Sequence, residues 1–454
     1  MAFIHLSMLA LRRFGERVST IFQRLDSRLL AAAVLVEVLV ALWFLGSRGE
    51  AHDVGFGFAP YVRSLIADRG YVAEVCEGTQ LDFLSRMPFL PLFLASMGKL
   101  GMSLLAATFV KSVLLLGLLL MVLRRFCVTL SCDWRRSALV KMLLLLFLFT
   151  PLSAKHLSQL HYEESVSVLL LPLMMITAVA VAGGKAFQST RRFWTFAFVG
   201  SLGMLYLLKS SYRPLFCVGA LGLFYSEWRR PQRDVAVCIL ACAFPVGWGL
   251  FSFFTTGTFQ FGSSWDGENL YRGLSEGGLK LYPWVSLDRL MDSGVVETPA
   301  GQVSIEQVAG RCAFQDELSW SAHFAKRARH FATTEKALAA DFLLKKAHVV
   351  FLDVRPTPRT EEPGGIKELI VMGSMLISRA GLAAVAAWTA VRWRHLDLFS
   401  LIFVIALAAA LTCPLLVGFA YDRHVFCLNM AVLWGLAAVL MTAREPFHKP
   451  SEKA

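Results

Sequence analysis

The chain reads as an all-α polytopic membrane protein, a bundle of about ten transmembrane helices with two large extracytoplasmic loops. Three observations predict this. Hydrophobic residues make up 56% of the 454 positions and charged residues only 17%, against about 45–50% apolar and about 25% charged in soluble domains. Apolar runs recur along most of the chain, and many are long enough to cross a hydrocarbon core as a helix. Basic residues, finally, gather at alternate ends of those runs, as the positive-inside rule requires.

The elements follow in order. Residues 1–28 form a basic cytoplasmic N-terminus carrying Arg12, Arg13, Arg17, Arg24 and Arg28. A cleaved leader would be shorter and end in small residues, so the run 29–46 is expected to remain as a signal anchor. Further spans are expected at 103–123, 137–153, 164–183, 193–208, 212–226, 234–255, 366–391, 397–417 and 424–442. This gives a transmembrane bundle over 29–255, C-terminal helices over 366–442 and a cytoplasmic tail over 443–454.

The first outer loop covers 47–102 and includes an apolar stretch at 89–100. That stretch holds Pro91 and Lys99 and is too short to span, which suits an interfacial helix. The second outer loop covers 256–365, unusually long for a segment without a task. Its part from Ser319 to Val350 has helical periodicity. There Lys326, Arg327, Arg329, Lys336, Lys345 and Lys346 alternate with Phe324, Phe331, Leu338, Phe342 and Leu343. Such an amphipathic basic helix suits a surface of anionic head groups, or serves as a solvated connection to the bundle.

The net charge of +12 is therefore a topology signal, not a sign of nucleic-acid binding. Arg124, Arg125, Arg135 and Arg136 flank one short loop, and Lys185, Arg191 and Arg192 another. Arg229, Arg230 and Arg233, then Arg392 and Arg394, then Arg444, Lys449 and Lys453, complete one cytoplasmic side. Most cysteines lie in or beside spans, without metal-ligand spacing, and read as packing residues. Cys76 and Cys312 fall in the two outer loops, where a disulfide is chemically allowed; sequence does not measure their separation.

Ionisable residues at membrane depth are costly and so are candidates for function. His52 and Asp53 follow the first span, and a half-shielded carboxylate there can act as general base. His156, His161, Glu163 and Glu164 stand around the start of the 164–183 span. The two acids either favour the helix dipole, bind a metal with His161, or position a polar acceptor. Lys209 and Arg213 occupy a short outer hairpin, where they suit a phosphate or simply snorkel to the head groups. The run 262–272 carries Asp266, Asn269, Tyr271 and Arg272, a mixture common in carbohydrate sites and in ordinary polar loops. Arg423, in the turn Tyr421–His424, pairs with Asp422 or with a phosphate. These groups share the face away from cytosolic nucleotides, so a reaction there needs an activated substrate other than a nucleotide sugar, and a lipid-phosphate-linked sugar would satisfy that.

The order of these motifs resembles the GT-C membrane glycosyltransferases, in particular the bacterial branch related to dolichyl-phosphate-mannose protein mannosyltransferases and the lipid A aminoarabinose transferase. The matching residues are His52-Asp53, Tyr61, Arg63, the stretch Arg86-Met-Pro-Phe-Leu-Pro-Leu-Phe-Leu-Ala95, Glu163-Glu164, Arg213-Pro214, Gly267-Glu-Asn-Leu-Tyr-Arg-Gly273 and Arg423. The likeness runs over residues 29–442. It departs at His52, which stands where the family has a second acid, and in lacking the C-terminal domain of some members.

The resemblance implies a GT-C bundle and inverting transfer of a hexosyl or pentosyl group from a polyprenyl phosphate to an extracytoplasmic hydroxyl on a glycan, lipid or protein. Asp53 would be the catalytic base. His52, Glu163, Glu164 and His161 would position the acceptor or a metal. Lys209, Arg213, Arg272 and Arg423 would hold the donor phosphate, and Asp266, Asn269 and Tyr271 would line the sugar. The resemblance makes no cofactor certain and leaves a divalent Mg²⁺ or Mn²⁺ open, although a lone carboxylate holds Mg²⁺ poorly. The expected location is a bacterial inner membrane, with the site facing the periplasm or exterior. Two other readings are a transporter or flippase for a polyprenyl-linked or anionic substrate, and a non-catalytic assembly subunit. The first should place polar residues along several spans and commonly shows repeated halves; neither is evident here.

Overall fold

The computed structural model describes residues 58–76, 78, 80–130, 143, 150, 163–183, 185–228, 234–284, 295–298, 301–304, 311–355, 366–419 and 421–442. The expected spans at 29–46 and 137–153 lie outside these residues, apart from Leu143 and Thr150. Helix dominates what is described. A short outer helix α1 (Ala59–Ile66) leads to the hairpin β1 (Ala73–Val75) and β2 (Gln80–Asp82), antiparallel with Ala73 opposite Asp82. Helix α2 (Phe89–Lys99) follows, with Leu90, Pro91, Leu94 and Ala95 buried on one face.

The bundle itself consists of α3 (Leu104–Thr129), α4 (Glu164–Ala182), α5 (Arg191–Leu208), α6 (Arg213–Trp228) and α7 (Val235–Thr256). Each begins or ends where local chemistry dictates. Ser103 caps α3 by accepting from the Ala106 amide at 3.2 Å, which satisfies one orphan donor. Gly257, at φ 73°, ends α7 in the left-handed conformation that glycine adopts without strain.

The second outer segment carries α8 (Asp266–Gly273), α9 (Glu276–Leu281) and the hairpin β3 (Val295–Thr298) and β4 (Gly301–Ser304). Next come α10 (Glu317–Thr334) and α11 (Lys336–Phe351). Three long helices close the described chain: α12 (Ile366–Arg392), α13 (Leu398–Val417) and α14 (Asp422–Met441).

Among the described residues, six helices are long and apolar enough to cross a membrane: 110–129, 164–182, 235–256, 368–395, 398–417 and 422–441. The chain is thus a helical membrane protein, with two short hairpins among the described residues. Of these six spans, that at 164–182 is 94% buried and that at 422–441 is 83% buried, whereas the other four are 28–33% buried. A helix apolar on every side belongs inside, so α4 and α14 form the centre and the others wrap them. The two ends of the bundle also segregate. At one end Arg191 binds Glu227 at 2.5 Å and the Val181 carbonyl, and the Arg125 guanidinium lies 4.1 Å from the Phe193 ring centroid. At the other end lie Glu163, Glu164, Lys209, Arg213 and the start of α14.

One expectation needs correction. The periodic stretch 319–350 is two helices, broken at Glu335, whose φ of −105° and ψ of 51° interrupt the ladder. The preceding Thr333 and Thr334 hydroxyls both donate to the His330 carbonyl, a local bond that competes with helix continuation. The apolar stripe of α10 is also covered by protein. Trp320, Phe324 and Ala328 pack with Tyr271 and Leu281 in a small separate core.

The two outer segments are stitched together. Cys76 and Cys312 form a disulfide. Arg311 binds Asp82, and the Gln80 side-chain amide donates to the Phe314 carbonyl at 2.5 Å. Glu317, at the first turn of α10, accepts from the amides of Phe83 and Leu84 and from the Ser264 hydroxyl, all within 3.1 Å. Burial raises the Glu317 carboxyl above its ordinary range, outweighing those donors.

Candidate functional site

Five stretches distant in sequence bring charged side chains to one end of the bundle. Glu164 opens α4 with 2% of its side chain exposed. Its Oε1 accepts from the Lys209 ammonium at 2.7 Å and lies 2.7 Å from His424 Nε2. Its Oε2 faces the Arg423 guanidinium at 3.6 Å. Lys209 follows the last turn of α5, and Arg423 and His424 belong to the first turn of α14. The two central helices are therefore joined through their charged ends. Arg423 also stacks over the Tyr421 ring, 4.2 Å from its centroid.

Glu163 extends the cluster towards the first outer segment, lying 3.9 Å from Lys209 and 3.8 Å from Arg86. The Arg86 guanidinium sits 4.1 Å from the Trp265 ring centroid and 4.9 Å from that of Phe58. Trp265 precedes α8 and is shared with Arg272, whose guanidinium is 5.5 Å from the indole. Arg272 in turn binds Glu268 one helical turn away.

A third pair lies alongside. Arg213, at the start of α6, binds Asp266 at 2.7 Å, and Asp266 also accepts from the hydroxyls of Ser210 at 2.5 Å and Ser263 at 3.2 Å. Gly262 makes room for this pair, because a Cβ there would fall 2.1 Å from the Asp266 carboxylate. Burial raises the Asp266 carboxyl above the ordinary carboxylate range, against the pull of Arg213 and Ser210.

The described structure thus gathers Glu163, Glu164, Lys209, Arg213, Asp266, Arg272 and Arg423 around one end. Each expected phosphate-binding cation already has a carboxylate partner. Arg86, Lys209, Arg213, Arg272 and Arg423 face an equal number of carboxylates, Glu163, Glu164, Asp266, Glu268 and, in the first turn of α14, Asp422. Tyr271 belongs elsewhere. It is buried against Phe324, 5.2 Å between ring centroids, with Arg327 over its ring, so its place is in the packing of α8 on α10. Asn269 is exposed on α8. His52, Asp53, His156 and His161 lie outside the described residues.

Sequence reasoning reaches Arg86 only through the family resemblance and gives it no role. His424 was legible only as a neighbour of Arg423. The pairing that distinguishes both, with Glu163 and with Glu164, spans the fold and leaves no local signal. As for a metal, no group of three or more His, Cys, Asp or Glu side chains converges among the described residues. Glu163 and Glu164 face side-chain cations, a setting that opposes a further cation. No family model, no curated protein and no solved structure matches this chain.

Proposed function

We propose that the protein is an inverting glycosyltransferase that moves a sugar from a polyprenyl-phosphate donor to an extracytoplasmic hydroxyl acceptor. The observation that carries this reading is the cluster joining Glu163 and Glu164 to Lys209, Arg86 and Arg423 at one end of an apolar bundle. Charges at the end of a membrane bundle are retained at a cost, and guanidinium and ammonium groups gathered there suit a phosphate. The apolar helices beside it suit a lipid tail. The reading takes the full complement of about ten spans with the N-terminus inside. It takes a bacterial inner membrane as the site of action, with the charged end outward. The Cys76–Cys312 disulfide supports that orientation, since such bonds persist in oxidising compartments.

In this scheme the acceptor oxygen attacks the anomeric carbon from the face opposite the phosphate. Asp53 takes the hydroxyl proton, the glycosidic C–O bond breaks, and its electron pair stays on the phosphate oxygen. Charge on the leaving phosphate grows in the transition state, where preorganised cations contribute most. Lys209, Arg213, Arg272 and Arg423 supply them. The carboxylates that hold these cations at rest are exchanged for the phosphate when donor enters. Asp266 and Asn269 remain on the edge of α8, within reach of sugar hydroxyls.

The test is transfer from a labelled polyprenyl-phosphate sugar by purified wild type and by Asp53→Asn. Product or donor cleavage by the wild type, lost in the variant while donor binding persists, is the expected result. Equal rates would remove Asp53 from the mechanism. Saturable donor binding without cleavage in either protein, with acceptor-containing membrane extract supplied, would favour a transporter or flippase.

A further inference from the structure

A lysine outside the ion cluster holds two of the segments that build it. Lys346 lies on α11 with its side chain fully enclosed. Its ammonium donates to the carbonyls of Gly273, Leu416 at 2.9 Å and Gly418 at 2.8 Å, with the Val417 carbonyl at 3.4 Å. It also lies 4.3 Å from the Phe342 ring centroid. An ammonium has three donors, so these carbonyls satisfy it without a carboxylate. The carbonyls are the unpaired ones at the ends of two helices, α8 and α13, where the backbone dipole is negative.

Those two ends matter because of what they carry. Gly273 follows Arg272 directly, and Asp266 and Glu268 lie on the same short helix. Gly418 is separated by a brief connection from Tyr421, Arg423 and His424. The ends are in backbone contact: a Cβ built on Gly273 would lie 2.2 Å from the Val417 carbonyl oxygen. One turn beyond Lys346, α11 is fastened by a second cation, Arg379 of α12, which donates to the carbonyls of Val349 at 3.1 Å and Val350 at 2.9 Å. The lysine is thus fixed on a helix that is itself held.

We propose that Lys346 is a positioning residue for the anion site, setting Arg272 against Arg423 by clamping the end of α8 to the end of α13. The proposal rests on the reading that both arginines serve one anionic ligand. The test uses the full chain in detergent, titrated with a polyprenyl monophosphate, together with hydrogen exchange over 266–274 and 416–424.

Lys346→Met is expected to weaken binding about tenfold and to raise exchange in both segments together, leaving the interior of α4 protected. Combined with Arg272→Gln it should weaken binding by less than the two separate losses added, because the lysine acts in part through that arginine. Wild-type binding by Lys346→Met, or losses that add in full, would overturn the proposal. Should Lys346→Met not accumulate, Gly273→Ala separates the same helix ends while keeping the ammonium group in the protein. It is expected to reproduce the binding loss and its dependence on Arg272, and wild-type affinity there would also overturn the proposal. If the wild type itself does not bind polyprenyl monophosphate, the ligand reading fails on its own account. The clamp is then judged by exchange alone, with unchanged protection in the two segments counting against it.

Discussion

Glu164 is enclosed at 2% side-chain exposure, and only its cationic partners make an ionised carboxylate tolerable at that depth. Removing one partner of a buried pair leaves the other charge uncompensated, at a typical cost of about 3–5 kcal/mol. Lys209→Met is therefore expected to lower stability by about that amount, measured by thermal or denaturant unfolding in detergent. The double change Glu164→Gln with Lys209→Met should recover part of the loss, since it removes both charges. A loss under about 1 kcal/mol for the single variant would mean that Arg423 and His424 suffice.

Asp266 makes a prediction in pH. Its carboxyl is raised by burial, so in the window above the ordinary carboxylate value the folded state holds a proton that the unfolded state has lost. The contribution to stability is present below the ordinary value and fades as pH rises through the raised one. Protonation also releases Arg213, so anion affinity should strengthen as pH falls through that window. Asp266→Asn should bind anion more tightly near neutrality and lose this part of the pH dependence. A pH profile identical in the two proteins would disconnect Asp266 from the site. Neither the ion pair of Glu164, whose partner Lys209 is 45 residues away, nor the burial that raises the carboxyl of Asp266 is legible from neighbours in sequence.

Among the elements, the membrane helices are the most readable. The expected span at 164–183 is observed as 164–182, that at 234–255 as 235–256, and that at 397–417 as 398–417. Lipid leaves backbone groups no other partner than their own helix, so a continuous apolar run fixes both type and length. The helix expected at 103–123 continues to Thr129, because Arg124 and Arg125 extend it past its apolar part. The outer helices are harder. The pattern of apolar and basic residues runs through Glu335 without a change of period, although α10 ends there. What covers its apolar stripe is likewise set by tertiary packing. Gly267 tests that packing: a Cβ would fall 1.9 Å from the Ser321 carbonyl oxygen of α10. Gly267→Ala is expected to cost about 1–3 kcal/mol, seen as a lowered midpoint of thermal unfolding. An unchanged midpoint would show that α8 moves freely against α10.

At the scale of the whole molecule, the two central helices and the outer segments meet at one charged end. α4 and α14 bring Glu164, Arg423 and His424, and the disulfide and Glu317 hold the first outer segment, with Arg86, beside the second. The cations at this end were legible as a list of candidates, since each lay beside an apolar run. Their mutual pairing was not, because carboxylates from other segments complete it. The account stands or falls on whether this end binds a lipid phosphate. The most direct measurement is a titration of the purified chain with a polyprenyl monophosphate, beside the double variant Arg213→Gln and Arg423→Gln. The account predicts saturable binding by the wild type that weakens with added salt and is lost in the double variant. Equal binding by both proteins, or none by the wild type, would contradict it.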